Sequence, residues 1–390
     1  MASEGLKQVL KLITPPPLIV PENYEGVEYR WKMLVFRPGL FQKEAMFVAA
    51  VLFYLAWYFV GKNYNISRAH KWFNAHLPLY ETQFTKPVQR GGLTRDGCTD
   101  FYAFSTGRRA LASLHTTLVL RPYHDFFQLT YQIVRGVVEV TYRVEDEVEL
   151  DFTFQEGANV PDCVWAIVAK DELRDIKDRR WDLSFARVTE HSSLPPSLSV
   201  MSEFADVTDC LMKQHGPLSL SKVLSDPAVL PYFRSLSLTD QPRTRPVAPL
   251  PASQRKKRLI LALRLPPAAD AHATLPLIAA AFQLCDVVAG AGGWGIGRGP
   301  GARGAGAGLA ASLRPDTRTK LRAARERVEK DIREEAIREK REEEEAERAA
   351  AKKKAEEERL AKLSAADQRK ELEKEKKRML RKTQGKIAKR

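Results

Sequence analysis

Apolar positions recur along most of this chain in short groups broken by charge, but one run stands apart. Residues 45–60 read AMFVAAVLFYLAWYFV, sixteen positions without a charge, bounded by Lys43 and Glu44 before and Lys62 after. As a helix the run through Gly61 would extend roughly 25 Å, close to the thin hydrocarbon core of the endoplasmic reticulum. Trp57, Tyr58 and Tyr64 sit near one end, and Trp31, Phe36 and Phe41 approach the other, as an interfacial aromatic belt would. The competing account of so short a stretch is a buried core helix. The pattern predicts a transmembrane helix over 45–61, anchored through Ala45, Leu52, Leu55, Trp57 and Val60.

After this run the period shortens and mixes. Strands are expected over 101–105, 137–144, 148–154, 164–169 and 258–265, and helices over 125–135, 171–179 and 202–213. A Pro-rich link at 241–251 precedes the last strand. Residues 271–288 are apolar again, but Pro276 and Asp286 interrupt them, and Leu277, Ala281, Leu284 or Cys285 and Val288 recur on one face. That spacing describes a helix docking on the domain or lying at the membrane surface, in preference to a second span. Residues 62–289 are therefore expected to form one α+β domain.

Two low-complexity regions follow. Residues 290–312 begin GAGGWGIGRGPGARGAGAGLAA, a Gly/Ala tract expected to be too flexible to pack. Its GAGGWG matches a dinucleotide-binding fingerprint by letter alone, with no strand leading into it and no helix pattern in the required place. From 313 to 390 the chain is dominated by Glu, Lys, Arg and Ala, and acid-to-base pairs four apart (Glu326/Lys330, Glu329/Arg333, Glu334/Arg338, Glu344/Arg348, Glu358/Lys362, Glu373/Lys377) favour a continuous helix of roughly 100 Å. Leu321, Val328, Ile332, Leu360, Leu363, Leu372 and Met379 do not sustain a heptad seam, which favours a solitary helix over a paired coiled coil.

Charge changes the picture only at that end. The net charge is +14, and residues 314–390 hold 28 Lys and Arg against 19 Asp and Glu, so the tail supplies most of the excess. Its last fifteen residues carry Lys376, Lys377, Arg378, Arg381, Lys382, Lys386, Lys389 and Arg390 with no acid. Uncompensated cations at this density are expected to bind a polyanion by counterion release, either ribosomal RNA or an anionic leaflet.

Other features restrict the function. Cys98, Cys163, Cys210 and Cys285 lie far apart, which fits a reducing compartment and no zinc site. Seven scattered histidines lack metal-ligand spacing, and His124-Asp125 is best explained as a turn entering a helix. No catalytic residue, cofactor or metal is expected. The start, MASEGLKQVLKLITPPPLIV, has an apolar stretch broken by three consecutive prolines and lacks the continuous core that a cleavable signal needs, so membrane targeting is expected of an internal segment. Cations flank the span on both sides (Arg30, Lys32, Arg37 and Lys43; Lys62, Arg68 and Lys71) and leave its orientation open, as does the sequon Asn65-Ile66-Ser67 so close to it.

In order along the chain, GKNYNISRAHKWFNAH, YAFSTGRR, VMSEFADVT and SLSLTDQP, followed by the K/R/E-rich tail, resemble the calumin family. These are coiled-coil membrane proteins of the endoplasmic reticulum that belong to the PAT complex of the multipass translocon. The resemblance implies a short lumenal N-terminal segment at 1–44, one span, a cytosolic α+β domain, and a long charged C-terminal helix or coiled coil reaching the ribosome. It implies as partners the ribosome, the translocon channel, the small membrane protein Asterix and nascent multipass membrane proteins. Residues 1–40 hold only Glu4, Glu22, Glu25 and Glu28, a weak counterpart of the acidic lumenal region linked to calcium in animal members. The competing function is calcium homeostasis or lipid-surface binding without ribosome contact.

Overall fold

A computed structural model describes residues 26–361, apart from 90–91, 140–141, 143, 215–217, 252–253 and 291–307. A small hairpin, β1 (Tyr29–Trp31) and β2 (Leu34–Phe36), turns at Lys32, whose φ is 52°. Then comes α1, Gln42–Gln83, a single helix of 42 residues. Its first half is the apolar run. The second half carries a different pattern, with Ala69, Trp72, Phe73, His76 and Tyr80 buried at helical spacing, so it docks as an ordinary core helix.

The surface it docks on is an antiparallel sheet. Among the described residues nine strands follow the order β3-β4-β5-β6-β11-β10-β7-β9-β8, comprising β3 (Thr94–Asp96), β4 (Asp100–Ser105), β5 (Leu111–Val119), β6 (Glu147–Phe154), β7 (Trp165–Ala169), β8 (Arg187–Thr189), β9 (Leu198–Ser202), β10 (Phe233–Thr239) and β11 (Arg258–Arg264). The edges β3 and β8 are three residues each, too short to invite further pairing. In β6 intermediate and buried residues alternate strictly, so one face meets the helices. Every residue of β7 and β9 is buried, because both faces of that half are covered.

Among the described residues six short α-helices complete this part: α2 (Phe126–Val138), α3 (Leu173–Arg179), α4 (Ala205–Met212), α5 (Leu220–Leu224), α6 (Leu275–Ala289) and α7 (Leu309–Ser312). The core on one face is aromatic. Phe282 of α6 meets Tyr80, Phe84 and Phe152 edge-on at 5.3 to 5.9 Å, and the Tyr80 hydroxyl lies 2.9 Å from Thr116 of β5. Trp72 Nε1 donates to Thr274 Oγ1, which lies 3.0 Å from His76 Nε2, while His76 Nδ1 faces the Trp72 carbonyl at 2.8 Å. On the opposite face Val164, Ala166, Val168, Leu183 and Met201 form a second cluster under Leu173 and Ile176 of α3. The second apolar stretch is buried as α6, and Asp286, which interrupts its pattern, pairs with Arg108 at 2.7 Å.

Several sequence expectations are corrected. The strand expected over 137–144 is not what the described residues at its start form: Val137 and Val138 end α2, because the apolar spacing begun at Phe126 continues through them and outweighs their β-branched preference. Strands β5, β9 and β10 lie where Ser and Thr dilute the apolar alternation. The Gly/Ala tract is ordered at both described ends. Gly290 caps α6 at φ 70°, and Leu309 and Leu313 are buried.

The helix α8 spans Pro315–Ala361. Its start is tied to α4, where Asp206 accepts from the Arg314 amide at 3.0 Å and from Thr317 Oγ1 at 2.8 Å. The described residues divide into two units, the second made of Arg245–Arg255 and the chain from Thr319. Within it the Pro-rich link is strapped along α8, by Arg255 to Glu329 and by Arg245 to Glu335 and Glu339. The expected pairs Glu329/Arg333 and Glu344/Arg348 form at 3.8 and 3.6 Å, and from 337 to 352 every side chain is exposed.

Candidate membrane-anchoring site

Among the described residues two helical stretches are long and apolar enough to cross a bilayer, and burial separates them. Within Gln42–Gln83 the most apolar window is 6% buried, whereas in Ala268–Ala289 it is 61% buried. The second is a core helix. The first presents Met46, Phe47, Val48, Val51, Leu52, Leu55 and Val60 outward with nothing covering them. Ala45 is likewise exposed, and Trp57 is half-buried. All five residues assigned to the anchor therefore stand on one helix, continuous with a helix embedded in the folded domain. At the far end Trp31 and Phe36 are exposed, Phe36 stacking on Phe41 at 5.7 Å.

The turn of α1 just past the apolar run is clamped to the sheet. Gly61 is required there, since a Cβ at that position would lie 2.1 Å from the Tyr123 carbonyl oxygen. One turn on, Asn65 is fully buried and its Nδ2 donates to the carbonyls of Cys98 at 3.1 Å and Arg121 at 2.9 Å. Arg68 forms a buried ion pair with Asp146, whose other oxygen accepts from the Arg121 amide at 2.7 Å. Tyr64 meets Tyr123 edge-on at 5.1 Å, and Tyr58 meets His124 at 5.7 Å. The apolar run is thus a rigid extension of the domain. The sequon asparagine is closed off, because the nitrogen a glycan would need is committed to two carbonyls.

These contacts position α2. Asp125 caps it by accepting from the Phe127 and Gln128 amides at 3.0 and 3.1 Å, so His124-Asp125 is indeed a turn entering a helix. Phe126 packs edge-on against Phe53 at 6.0 Å and Trp57 at 5.4 Å, and Phe127 lies 5.7 Å from Tyr54. No residue of α2 is buried. A cavity of about 250 Å³ lies beneath it, lined by Arg121, Leu129, Gln132, Tyr142 and Glu145 among others.

Sequence reasoning placed a helix at 125–135 but missed the clamp. Arg68 and Asp146 stand 78 residues apart, and a polar residue at a domain's edge carries no mark of its partner. The eight cations assigned to polyanion contact, Lys376 through Arg390, lie outside the described residues. Among the described residues no three His, Cys, Asp or Glu side chains gather in metal-binding geometry.

Residues 40–382 match the family of PAT complex subunit CCDC47. The chain belongs to the PAT complex subunit CCDC47 family. An endoplasmic reticulum membrane protein of Schizosaccharomyces pombe is 25% identical over 242 residues, covering 58% of this chain and 63% of that protein. Human PAT complex subunit CCDC47 is 26% identical over 183 residues, covering 43% of this chain and 36% of the human protein, and the Bos taurus protein matches to the same extent. The matched region spans less than two thirds of each of these relatives. The family match takes in the apolar half of α1, the clamp, the sheet and α8.

Proposed function

We propose that this protein is a subunit of an intramembrane chaperone complex of the endoplasmic reticulum, a non-enzymatic adaptor that joins ribosome-bound translocons and assists multipass membrane proteins. One observation carries the reading: an uncovered sixteen-residue apolar helix is fused without a break to a folded domain, in a chain of a PAT complex subunit family. Such a joint would hold the domain at a fixed distance from the bilayer, which an adaptor needs and a diffusing enzyme does not. In this reading residues 45–61 form the one span, 1–44 lie in the lumen, and the sheet domain and tail are cytosolic. Endoplasmic reticulum residence is supported by the Schizosaccharomyces pombe relative, an endoplasmic reticulum membrane protein.

The partners proposed are a small membrane protein equivalent to Asterix, the translocon channel, nascent multipass proteins and ribosomal RNA. The charged helix α8 is proposed to run on toward Lys376 and to carry the eight terminal cations to the ribosome. The test is sedimentation of ribosomes from digitonin-solubilised microsomes. Exchanging Lys376, Lys377, Arg378 and Arg381 for Glu should release the protein from ribosomes at physiological salt, and in the unaltered protein each phosphate contact should add about one to the slope of log affinity against log salt. Unchanged sedimentation of the Glu variant would transfer ribosome contact away from the tail. Binding of the tail to anionic liposomes with no effect of RNase on sedimentation would favour a lipid-surface protein.

A further inference from the structure

The helix α2 is built the wrong way round for a protein surface in water. Phe127, Tyr131, Val134 and Val138 recur at spacings of four, three and four, and they point away from the body with 56 to 80% of their surface exposed. Val137 widens that face and is equally open. The sides turned toward the body carry Phe126, Leu129 and Gln132, which are half-buried. Over the whole of Phe126–Val138 the one charged side chain is Arg135, which is bonded to Glu139 at 2.9 Å and lies over the Tyr142 ring at 4.2 Å. A solvated helix would show its polar side outward; this one shows a contiguous apolar face.

Its place along α1 says what covers that face. The aromatic pair at its start touches Phe53, Tyr54 and Trp57, residues of the apolar run that precede Gly61 by four to eight positions. These lie about 6 to 12 Å inside the end of the run along the helix axis. Amphipathic helices rest with their apolar faces roughly 5 to 10 Å into the boundary between headgroups and acyl chains, so the two depths coincide. We propose that α2 is a second membrane-embedded element, an interfacial helix whose Phe127, Tyr131, Val134 and Val138 face lies in the acyl-chain boundary of the leaflet next to Trp57 and Tyr58. The proposal rests on residues 45–60 spanning the bilayer. It adds that the domain meets the membrane at two points, so that it is fixed in tilt and rotation as well as in height. The Gly61 contact, the Asn65 bonds and the Asp125 cap are the devices that set α2 at that depth.

The test uses the full-length chain reconstituted alone into phosphatidylcholine vesicles, so that no protein partner is present. With Cys98 replaced by Ser and the other cysteines buried, an environment-sensitive fluorophore is placed on Val134→Cys, Val138→Cys or, as the solvated control on the polar side, Gln128→Cys. At 134 and 138 acyl-brominated lipid should remove most of the fluorescence while aqueous iodide has little effect, and at 128 the order should reverse. Melting temperatures of the three variants, all at exposed positions, report whether the fold is kept. Iodide quenching at 134 and 138 equal to that at 128, in protein that floats with the vesicles, would overturn the interfacial helix and leave the anchor standing. Failure of every variant and of the parent chain to float with vesicles would overturn the anchor, and the interfacial helix with it.

Discussion

Arg68 and Asp146 retain 9% and 11% of their side-chain exposure, so each depends on the other for compensation of a largely dehydrated charge. Truncating one partner of such a pair leaves the other uncompensated, and Arg68→Ala should therefore lower stability by about 3 kcal/mol. Thermal unfolding of the detergent-solubilised chain measures it. His76 makes a second statement at this scale. Burial holds its pKa down to about 4 from 6.5, despite the opposing bond to the Trp72 carbonyl, so the folded state favours neutral imidazole. The unfolded chain takes up a proton first, hence stability is full above about pH 6.5 and falls as pH drops toward 4, by up to about 3 kcal/mol. His76→Gln should flatten that part of the curve of melting temperature against pH. Asn65 shows how far letters alone mislead: its triplet fits a glycosylation site, yet its amide is bonded inside the fold, and endoglycosidase treatment of the folded protein should cause no shift at this residue.

Among the elements, those whose periodicity spans a whole helix or strand were legible in the sequence. The apolar run, β4, β6, β7, β11 and the buried face of α6 follow directly from spacing and charge. Less legible was the continuation of α1 from Gly61 to Gln83, where the buried face passes through Asn65, Arg68 and His76, polar residues that read as surface until their partners are known. Whether α2 faces water, protein or lipid could not be read from its pattern, since apolar spacing is the same for all three. The Gly/Ala tract was read as loose throughout, but a Cβ at Gly308 would lie 3.1 Å from the Gly290 nitrogen, so the tract leaves and re-enters the fold at nearly one point. Deleting 291–307 should then leave the melting temperature nearly unchanged, because only the chain entropy of a closed loop is altered. Leu309→Ala, which empties a fully buried position just beyond it, should cost about 2 to 5 kcal/mol. Equal and large losses from both would mean that the tract itself packs.

At the scale of the whole molecule, the proposed function has the folded domain held at the endoplasmic reticulum membrane by the first half of α1, a helix continuous with the domain's core. Family membership is established by the match over 40–382, and the domain's fixed relation to the apolar run is visible in the clamp at Gly61, Asn65 and Arg68. Anchoring by 45–60 is the premise on which the adaptor reading and the interfacial helix both rest. It is tested most directly by placing charge at the centre of the run, with Leu52→Arg and Leu55→Arg together, at positions exposed enough that the domain's own packing is untouched. Each arginine costs about 2.5 to 3.5 kcal/mol at a span centre. The account predicts that the unaltered protein stays in the membrane pellet after alkaline carbonate extraction and that the double variant moves to the soluble fraction with its melting behaviour intact. A double variant that remains fully in the carbonate-resistant pellet would contradict it.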